Sequence, residues 1–224
     1  MLRTPHLDQQ YEHELEQITA HLLKMGNRAE AMVHDAVRAL LDRDLGLARK
    51  VIGSDDELDR LEVETDALCV ALMARRSPVG GDLRLVTCAL KIVTDLERVG
   101  DLAVNIARRA IELNTSSGIE VLPEVAELAR VASDELGQAM TALRKRDSAA
   151  AVQLQRGDKQ VDEANRLAFD RLIHIAKDHP DQFERALAIT SVCRHLERVG
   201  DHAVNIGEMV VYLVSGQMVR HQAG

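Results

Sequence analysis

Apolar residues follow a helical period over most of the chain, and strand-like alternation never persists for more than a few residues. From Leu15 onward the apolar positions advance in steps of three and four residues in strict alternation. They are Leu15, Ile18, Leu22, Met25, Ala29, Met32, Ala36 and Ala39. This spacing is typical of the seam of a left-handed helical bundle. The pattern therefore predicts an all-α protein whose first helix packs through this seam.

Turn and capping signals divide the helical pattern into segments. The predicted segments span residues 7–43, 44–75, 80–114, 121–145, 147–178 and 181–216. Asp44 and Asp147 are suited to cap the helices that follow them, and turns are expected around Pro78 and Pro180. These signals predict six helices joined by short connections.

One local conflict lies inside the second predicted helix. Ser54 and Glu57 have the spacing of a capping box, which would restart a helix at this point. The equivalent stretch of the second half, around Gly157, sits inside an otherwise periodic segment. We therefore expect the second helix to run through residues 53–57 without interruption.

An eleven-residue motif occurs twice, 100 residues apart. Residues 96–106 read LERVGDLAVNI, and residues 196–206 read LERVGDHAVNI. Upstream of the motif the two halves match at an offset of 103 residues. A repeat of this length indicates two similar units rather than a solenoid of short ones. We predict two tandem three-helix bundles, at residues 1–115 and 116–224, separated by the linker-like NTSSG stretch that begins at Asn114.

Each copy of the motif places two carboxylates one helical turn apart, and the second helix of each half carries another such pair. The four pairs are Glu97 and Asp101, Glu197 and Asp201, Asp55 and Asp59, and Asp158 and Asp162. Carboxylates that converge from two helices suit Mg²⁺, Mn²⁺ or Ca²⁺, and also iron or zinc if water completes the coordination. The sequence therefore predicts one metal-capable acidic site in each bundle, with the identity of the metal left open.

The same carboxylates have a second interpretation as a solvated surface. In that case they pair with Arg98, Arg198 and other arginines on neighbouring helices. The duplication favours a metal site over this reading. Gly100 and Gly200 also favour a site at this face, because a glycine inside a helix costs about 1 kcal/mol relative to alanine. We expect a metal, a water molecule or another helix to approach closely at these glycines.

Other polar residues accompany the motif. Asn105 and Asn205 could ligate a metal through their amide oxygens or hydrogen-bond the carboxylates. His195 and His202 flank the second copy, but no histidine occupies either equivalent position in the first half. We expect most histidines to lie at the surface or at helix ends. The pair Arg108-Arg109 is interpreted as a solvated helix end.

Charge and composition exclude several classes of function. A net charge of -8 with a pI near 5.6 argues against nucleic-acid binding. No apolar run approaches the roughly 18 to 20 residues of a membrane span. The three cysteines are far apart in aliphatic segments, which indicates reduced core thiols and a cytoplasmic protein. No glutamate is followed three residues later by histidine, as a di-iron carboxylate enzyme requires, so we expect no enzymatic activity.

The duplicated LERVGD motif, the DxxxD pairs and the SPVGGDLR stretch at residues 77–84 together resemble the PhoU family of phosphate-signalling proteins. The resemblance covers nearly the whole chain. It implies a cytoplasmic, homodimeric protein of two three-helix bundles that binds metal ions, such as Fe, Zn, Mn or Mg, at the eight carboxylates named above. The resemblance implies no nucleic-acid partner.

The resemblance also implies a function. PhoU-like proteins are accessory, negative regulators of phosphate uptake. They link a Pst-type phosphate ABC transporter to a phosphate-sensing histidine kinase, and they meet the membrane only through such partners. Two alternatives stay open: a metal-dependent carboxylate-bundle enzyme, and a metal-free helical scaffold whose acidic faces bind basic patches on a partner.

Overall fold

The structure, a computed structural model, describes residues 9–114 and 122–218, without the side chains of residues 155–158. The helices are α1 (Gln9–Leu41), α2 (Leu45–Ile52), α3 (Asp55–Arg76), α4 (Gly80–Asn114), α5 (Pro123–Lys145), α6 (Ser148–Asp178) and α7 (Phe183–Ser215). A 3₁₀ turn at Pro180–Gln182 precedes α7. The all-α prediction is confirmed over these ranges. The predicted boundary after residue 115 lies outside the described residues.

Two bundles form as the repeat predicts, one from α1 to α4 and one from α5 to α7. In the first bundle α2 and α3 together take the place of the single helix α6 of the second. Every seam position of α1 is buried, with at most 2% of its surface exposed. The predicted caps also form. A carboxylate oxygen of Asp44 accepts a hydrogen bond of 2.9 Å from the backbone N–H of Leu47, and Asp147 does the same for Ala150. These caps satisfy helix-terminal donors that would otherwise lack a partner.

The expectation of an uninterrupted second helix is wrong for the first bundle. Helix α2 ends at Ile52, and α3 begins at Asp55. At Ser54 the backbone N–H bonds to the carbonyl three residues back, and the side-chain hydroxyl donates to the Lys50 carbonyl at 2.8 Å. A serine hydroxyl that competes for a helical carbonyl in this way weakens the helix locally. In the second bundle α6 is continuous over the equivalent segment.

The two bundles are joined through the antiparallel pairing of α4 with α7. Contacts along the pair run in opposite directions, from Cys88 with Met209 at one end to Arg185 with the Leu113 carbonyl at the other. A second contact joins α1 to α5, where Arg144 donates to the Asn27 side chain at 2.8 Å. Buried apolar residues of both bundles belong to one core.

Two further expectations from the sequence concern membrane-spanning helices and the cysteine thiols. Of the described helices, none combines the length and the apolar character that crossing a bilayer demands. Cys69, Cys88 and Cys193 are buried and form no disulfide, as predicted for core thiols. Burial raises the pKa of the Cys69 and Cys193 thiols to about 12, so both are protonated at neutral pH.

The motif glycines allow neighbouring helices to approach closely. A Cβ atom on Gly100 would lie 2.1 Å from the Cδ2 atom of Leu58 on α3. A Cβ atom on Gly200 would lie 3.1 Å from Val161, which is the equivalent residue on α6. Of the three approaches expected from the sequence, a metal, a water molecule or a helix, the structure shows the helix.

We predict that Gly100→Ala destabilises the protein. Overpacking of a buried site costs about 1 to 3 kcal/mol, and the better helix propensity of alanine returns about 1 kcal/mol. The net loss in the free energy of unfolding, measured by urea denaturation, is then roughly 1 kcal/mol. Gly81→Ala is the matched control, because its Cβ atom would meet nothing nearer than an Arg84 nitrogen at 3.8 Å. Equal stability of the two variants would contradict the close-packing argument.

Candidate acidic sites at the repeated motif

Acidic face one lies between α3 and α4 of the first bundle. Its carboxylates are Asp55, Asp59 and Glu62 on α3, and Glu97 and Asp101 on α4. The charges of the two helices act on each other: Asp101 perturbs Asp55, and Asp59 perturbs Glu97. The structure thus brings together the two predicted pairs of the first half.

Burial and like charge both raise carboxyl pKa values on this face. Burial is the largest cause of the raised pKa of Asp55, Glu62 and Glu97. Asp59 and Asp101 raise the pKa of each of these three groups further. The ionised face therefore carries an electrostatic cost, which a nearby cation would reduce.

Arg98 supplies one such cation from within the chain. Its Nε atom lies 3.3 Å from a carboxylate oxygen of Glu97, and its Nη1 atom donates to Asp101 at 3.1 Å. Because the Arg98 side chain is 53% exposed, solvent screens both contacts. The pKa of Glu97 stays raised in spite of this arginine. Arg98 therefore offsets only part of the repulsion.

Glu62 belongs to acidic face one, although the sequence analysis did not select it. It follows Asp59 by three residues and Asp55 by seven, which places all three on one side of α3. This spacing is visible in the sequence. A search for duplicated carboxylates passes over Glu62, because Asn165 occupies the equivalent position of the second half.

Acidic face two lies between α6 and α7, and its described carboxylates are Asp162, Glu197 and Asp201. Burial is the largest cause of the raised pKa of Glu197, and Asp201 and Asp162 add to it. Arg194 and Arg198 act in the opposite direction. The structure thus brings these three predicted residues together. The fourth, Asp158, lies on α6, and its side chain is outside the described part of the structure.

Face two is less acidic than face one over the described residues. Asn165 and Phe169 line the same cavity as Asp162 and Glu197. At the equivalent positions the first half has two further carboxylates, Glu62 and Asp66. The two faces are therefore related in position but differ in charge.

A buried carboxylate behind face two was also missed from the sequence. Glu135 on α5 is only 3% exposed, and one of its oxygens would lie 3.1 Å from a Cβ atom on Gly200. Its counterpart in the first half is Met32, which packs near Gly100. The signal in the sequence is a charged residue on an otherwise apolar helical seam.

A polar contact at the α4–α7 pairing changes the interpretation of two motif residues. His202 Nδ1 donates to the Asp95 carboxylate at 2.8 Å, and the Asn205 amide donates to the same oxygen at 3.3 Å. Asn205 thus hydrogen-bonds a carboxylate outside the motif pairs, and Asn105 accepts from Arg108 at 3.4 Å. His202 is an interhelical residue rather than a surface histidine.

Comparison with known proteins identifies the family. A profile described as "PhoU domain" matches residues 22–110 and 125–210, which correspond to the two bundles. The chain belongs to the PhoU family.

Relatives of this PhoU-family chain are similar over almost its whole length. A Pseudomonas aeruginosa protein named "Phosphate-specific transport system accessory protein PhoU homolog" is 41% identical, over 97% of this chain and 90% of that protein. The "Phosphate-specific transport system accessory protein PhoU" of Escherichia coli K12 is 33% identical, over 98% of this chain and 91% of its own length.

A solved structure supports the same placement of the PhoU-family chain. The crystal structure of PhoU from Pseudomonas aeruginosa superposes with a TM-score of 0.89 at 39% identity. It covers 92% of this chain and is itself covered completely. The fold with two bundles is therefore shared with an experimentally solved member of the family.

The acidic faces of the PhoU-family chain suit a metal ion in chemistry and in charge. Their donors are carboxylate oxygens, which hard divalent cations prefer. After burial, neighbouring carboxylates are the next cause of the raised pKa values of face one, so its carboxylates repel each other. The arrangement is open, since among the described residues no three Asp, Glu, His or Cys side chains converge closely enough to hold an ion. Ligation therefore requires the side chains to reorient, with Glu97 and Asp101 turning away from Arg98.

We predict that Asp59→Asn lowers the pKa of Asp55, Glu62 and Glu97, because it removes a neighbour that raises all three. A carboxyl pKa raised by folding stabilises the protein below the ordinary value, and that stabilisation is lost as pH rises through the folded-state value. The variant should lose less stability between acidic and neutral pH, gaining roughly a few tenths of a kcal/mol at neutrality. Carboxyl ¹³C NMR titration and urea unfolding at several pH values measure both effects.

Glu64→Gln is the control for this prediction. It removes one negative charge from the same helix, at an exposed residue that pairs with Arg60. It should leave the three pKa values of face one in place. Equal shifts in both variants would mean that net charge, rather than proximity within the face, sets these pKa values.

Proposed function

We propose that this chain is an accessory regulator of phosphate uptake that works with a phosphate-specific transport system. The observation that carries the proposal is the 41% identity, over 97% of the chain, to a relative named for that role. Structural agreement over both bundles adds support, because a regulator that acts through its surfaces needs the whole fold.

In this role the chain acts by protein contact and has no catalytic activity. It links a Pst-type phosphate ABC transporter to a phosphate-sensing histidine kinase on the cytoplasmic side of the membrane, and it works as a homodimer. While phosphate is plentiful it holds phosphate-starvation genes in the repressed state. The names of the relatives, which specify an accessory protein of a transport system, support the transporter part of this proposal.

The acidic faces bind metal ions in this proposal. Carboxylates of face one repel each other across α3 and α4, since carboxylates of both helices add to the pKa values that burial already raises. A divalent ion such as Fe²⁺, Zn²⁺, Mn²⁺ or Mg²⁺ would reduce that repulsion and fix the two helices to each other. Face one has more described carboxylates than face two, and two arginines, Arg194 and Arg198, oppose the negative charge of face two at Glu197. Face one is therefore the stronger of the two sites.

A metal-free scaffold is the second candidate function, and the contacts of Arg98 favour it. This arginine already bridges Glu97 and Asp101, the two motif residues of face one. A basic patch on a partner protein could pair with the remaining carboxylates in the same way. Such binding would weaken with salt and be indifferent to chelators.

The metal proposal predicts that purified, chelator-treated protein takes up Mn²⁺, Fe²⁺ or Zn²⁺ and that its melting temperature rises with metal concentration, since a ligand that binds only the folded state stabilises it. Neutralising face one should abolish most of this stabilisation. The variant carries Asp59→Asn, Glu62→Gln, Glu97→Gln and Asp101→Asn. Elemental analysis and thermal unfolding measure the effect, and circular dichroism checks the helical content.

A charge-matched variant provides the control for metal binding. It removes the same number of carboxylates from exposed helix surfaces outside face one, through Glu64→Gln, Glu127→Gln, Asp134→Asn and Glu163→Gln. This control should bind metal like the parent protein. If all three proteins bind metal equally, or if none binds it, the metal proposal fails and the scaffold is favoured.

The regulatory proposal predicts constitutive expression of phosphate-starvation genes when the coding sequence is deleted in the native host. A reporter of a starvation promoter in high phosphate should rise strongly, and the parent gene supplied in trans should restore repression. Normal repression in the deletion strain would exclude the proposed role. Restoration by the face-one variant would separate regulation from metal binding at that face.

A further inference from the structure

The α4–α7 pairing has two sides that the 100-residue repeat relates to each other. One side holds Asp95 of α4, which accepts hydrogen bonds from His202 and Asn205 of α7. On the other side α4 and α7 exchange roles, so the residue equivalent to Asp95 is His195 of α7. The two sides are therefore equivalent in position, but one carries an acid and the other an imidazole.

The side of His195 forms a cleft between α4 and α7, which we name the basic cleft. It is lined by Asn105, Arg108, Arg109, Ser191, Arg194 and His195. The residues equivalent to its arginines on the Asp95 side are not basic. Thr94, Glu208 and Met209 stand there in place of Arg194, Arg108 and Arg109. The Asp95 side has its own basic residues, Lys91 and Arg84, in place of Ser191 and Glu184. The arginines beside His195 are thus particular to that side of the pairing.

His195 lacks the anionic neighbour that His202 has. Its Nε2 atom lies 3.4 Å from the Ser191 hydroxyl, while its Nδ1 atom is buried and has no hydrogen-bond partner within the described chain. Buried polar atoms normally have a hydrogen-bond partner, so the unpaired Nδ1 atom marks a place that a ligand from solution could fill.

Carboxylates within the chain offset part of this charge. Glu112 lines the cleft and pairs with Arg109, and Glu184 lines its outer part. Arg108 also acts on acidic face one, and Arg194 also acts on acidic face two. Among the residues that line the cleft, three guanidinium groups therefore stand against two acids.

We propose that the basic cleft binds a tetrahedral oxyanion of the phosphate class, held chiefly by Arg109 and Arg194 with Ser191 and His195 beneath it. Guanidinium groups present planar pairs of N–H donors that match phosphate oxygens, and hydrogen bonds to a charged acceptor are the strong ones. The anion supplies from solution the negative charge that Asp95 supplies on the other side. The cleft adjoins acidic face two, because Arg194 also lines the cavity of Asp162 and Glu197. The proposal does not depend on whether the proposed function is correct.

The test uses inorganic phosphate as the probe and isothermal titration calorimetry on the full chain. The variant is Arg109→Gln with Arg194→Gln, and loss of two charge-assisted donors should weaken binding by roughly tenfold or more. The matched control is Arg60→Gln with Arg130→Gln, which changes the net charge equally at exposed arginines of helix surfaces. The control should bind phosphate like the parent chain.

A second measurement needs no substitution. Long-range ¹H–¹⁵N NMR of the imidazole rings during the phosphate titration should shift the His195 signals and leave those of His202 in place, since Asp95 already occupies that side. Adenosine monophosphate titrated in parallel identifies the source. Tighter binding than phosphate assigns the site to a nucleotide phosphoryl group, and weaker binding assigns it to the free ion.

Three results would overturn the proposal. The first is the absence of heat and of a His195 shift at millimolar phosphate. The second is equal weakening of phosphate binding in the variant and its matched control, which would indicate attraction by net charge alone. The third is a shift of His202 in place of His195, which would put the anion on the wrong side of the pairing.

Discussion

The antiparallel packing of α4 against α7 is the contact on which the rest of the structure depends. Each helix belongs to the core of its own bundle and also forms the main contact between the bundles. Such a helix is buried on most of its circumference, and only a narrow strip meets solvent. The motif carboxylates occupy that strip, while Val99 and Val199, two positions further along the chain than Glu97 and Glu197, are fully buried. Core packing therefore fixes the direction in which each acidic face points.

Two opposing electrostatic effects act on the carboxylates of acidic face one. Burial against α3 raises the cost of ionising Glu97, and the neighbouring carboxylates raise it further. Arg98 compensates for part of this from the exposed edge, at little cost, because its side chain stays in water. The same arginine also competes with any external cation for Glu97 and Asp101. The affinity of the face for a cation therefore depends on how far the repulsion among its carboxylates exceeds the compensation by Arg98, and not on the number of carboxylates alone.

Local patterns in the sequence determine much of this fold. The seam of α1 follows from its three-and-four spacing, and Asp44 and Asp147 cap as expected because a cap depends only on neighbouring residues. The break at Ser54 is not expected from the second half, where the equivalent segment is periodic. No capping box forms there, because the Ser54 hydroxyl bonds to the Lys50 carbonyl instead. The contact of His202 with Asp95 joins residues 107 positions apart, and helical periodicity contains no information on such a pair. Glu62 was within reach of the spacing argument and was missed because its counterpart is uncharged.

The pairing of α4 with α7 has the form of an isologous interface, in which two identical chains would present the same patch to each other. If each bundle were a separate chain, one codon would encode both Asp95 and His195, and the two sides of the interface would have to carry the same residue. Covalent fusion of the bundles removes this constraint. One side can keep an internal acid and the other a cluster of arginines, so the two halves of one chain place different chemistries on the two sides of a pseudo-symmetric contact.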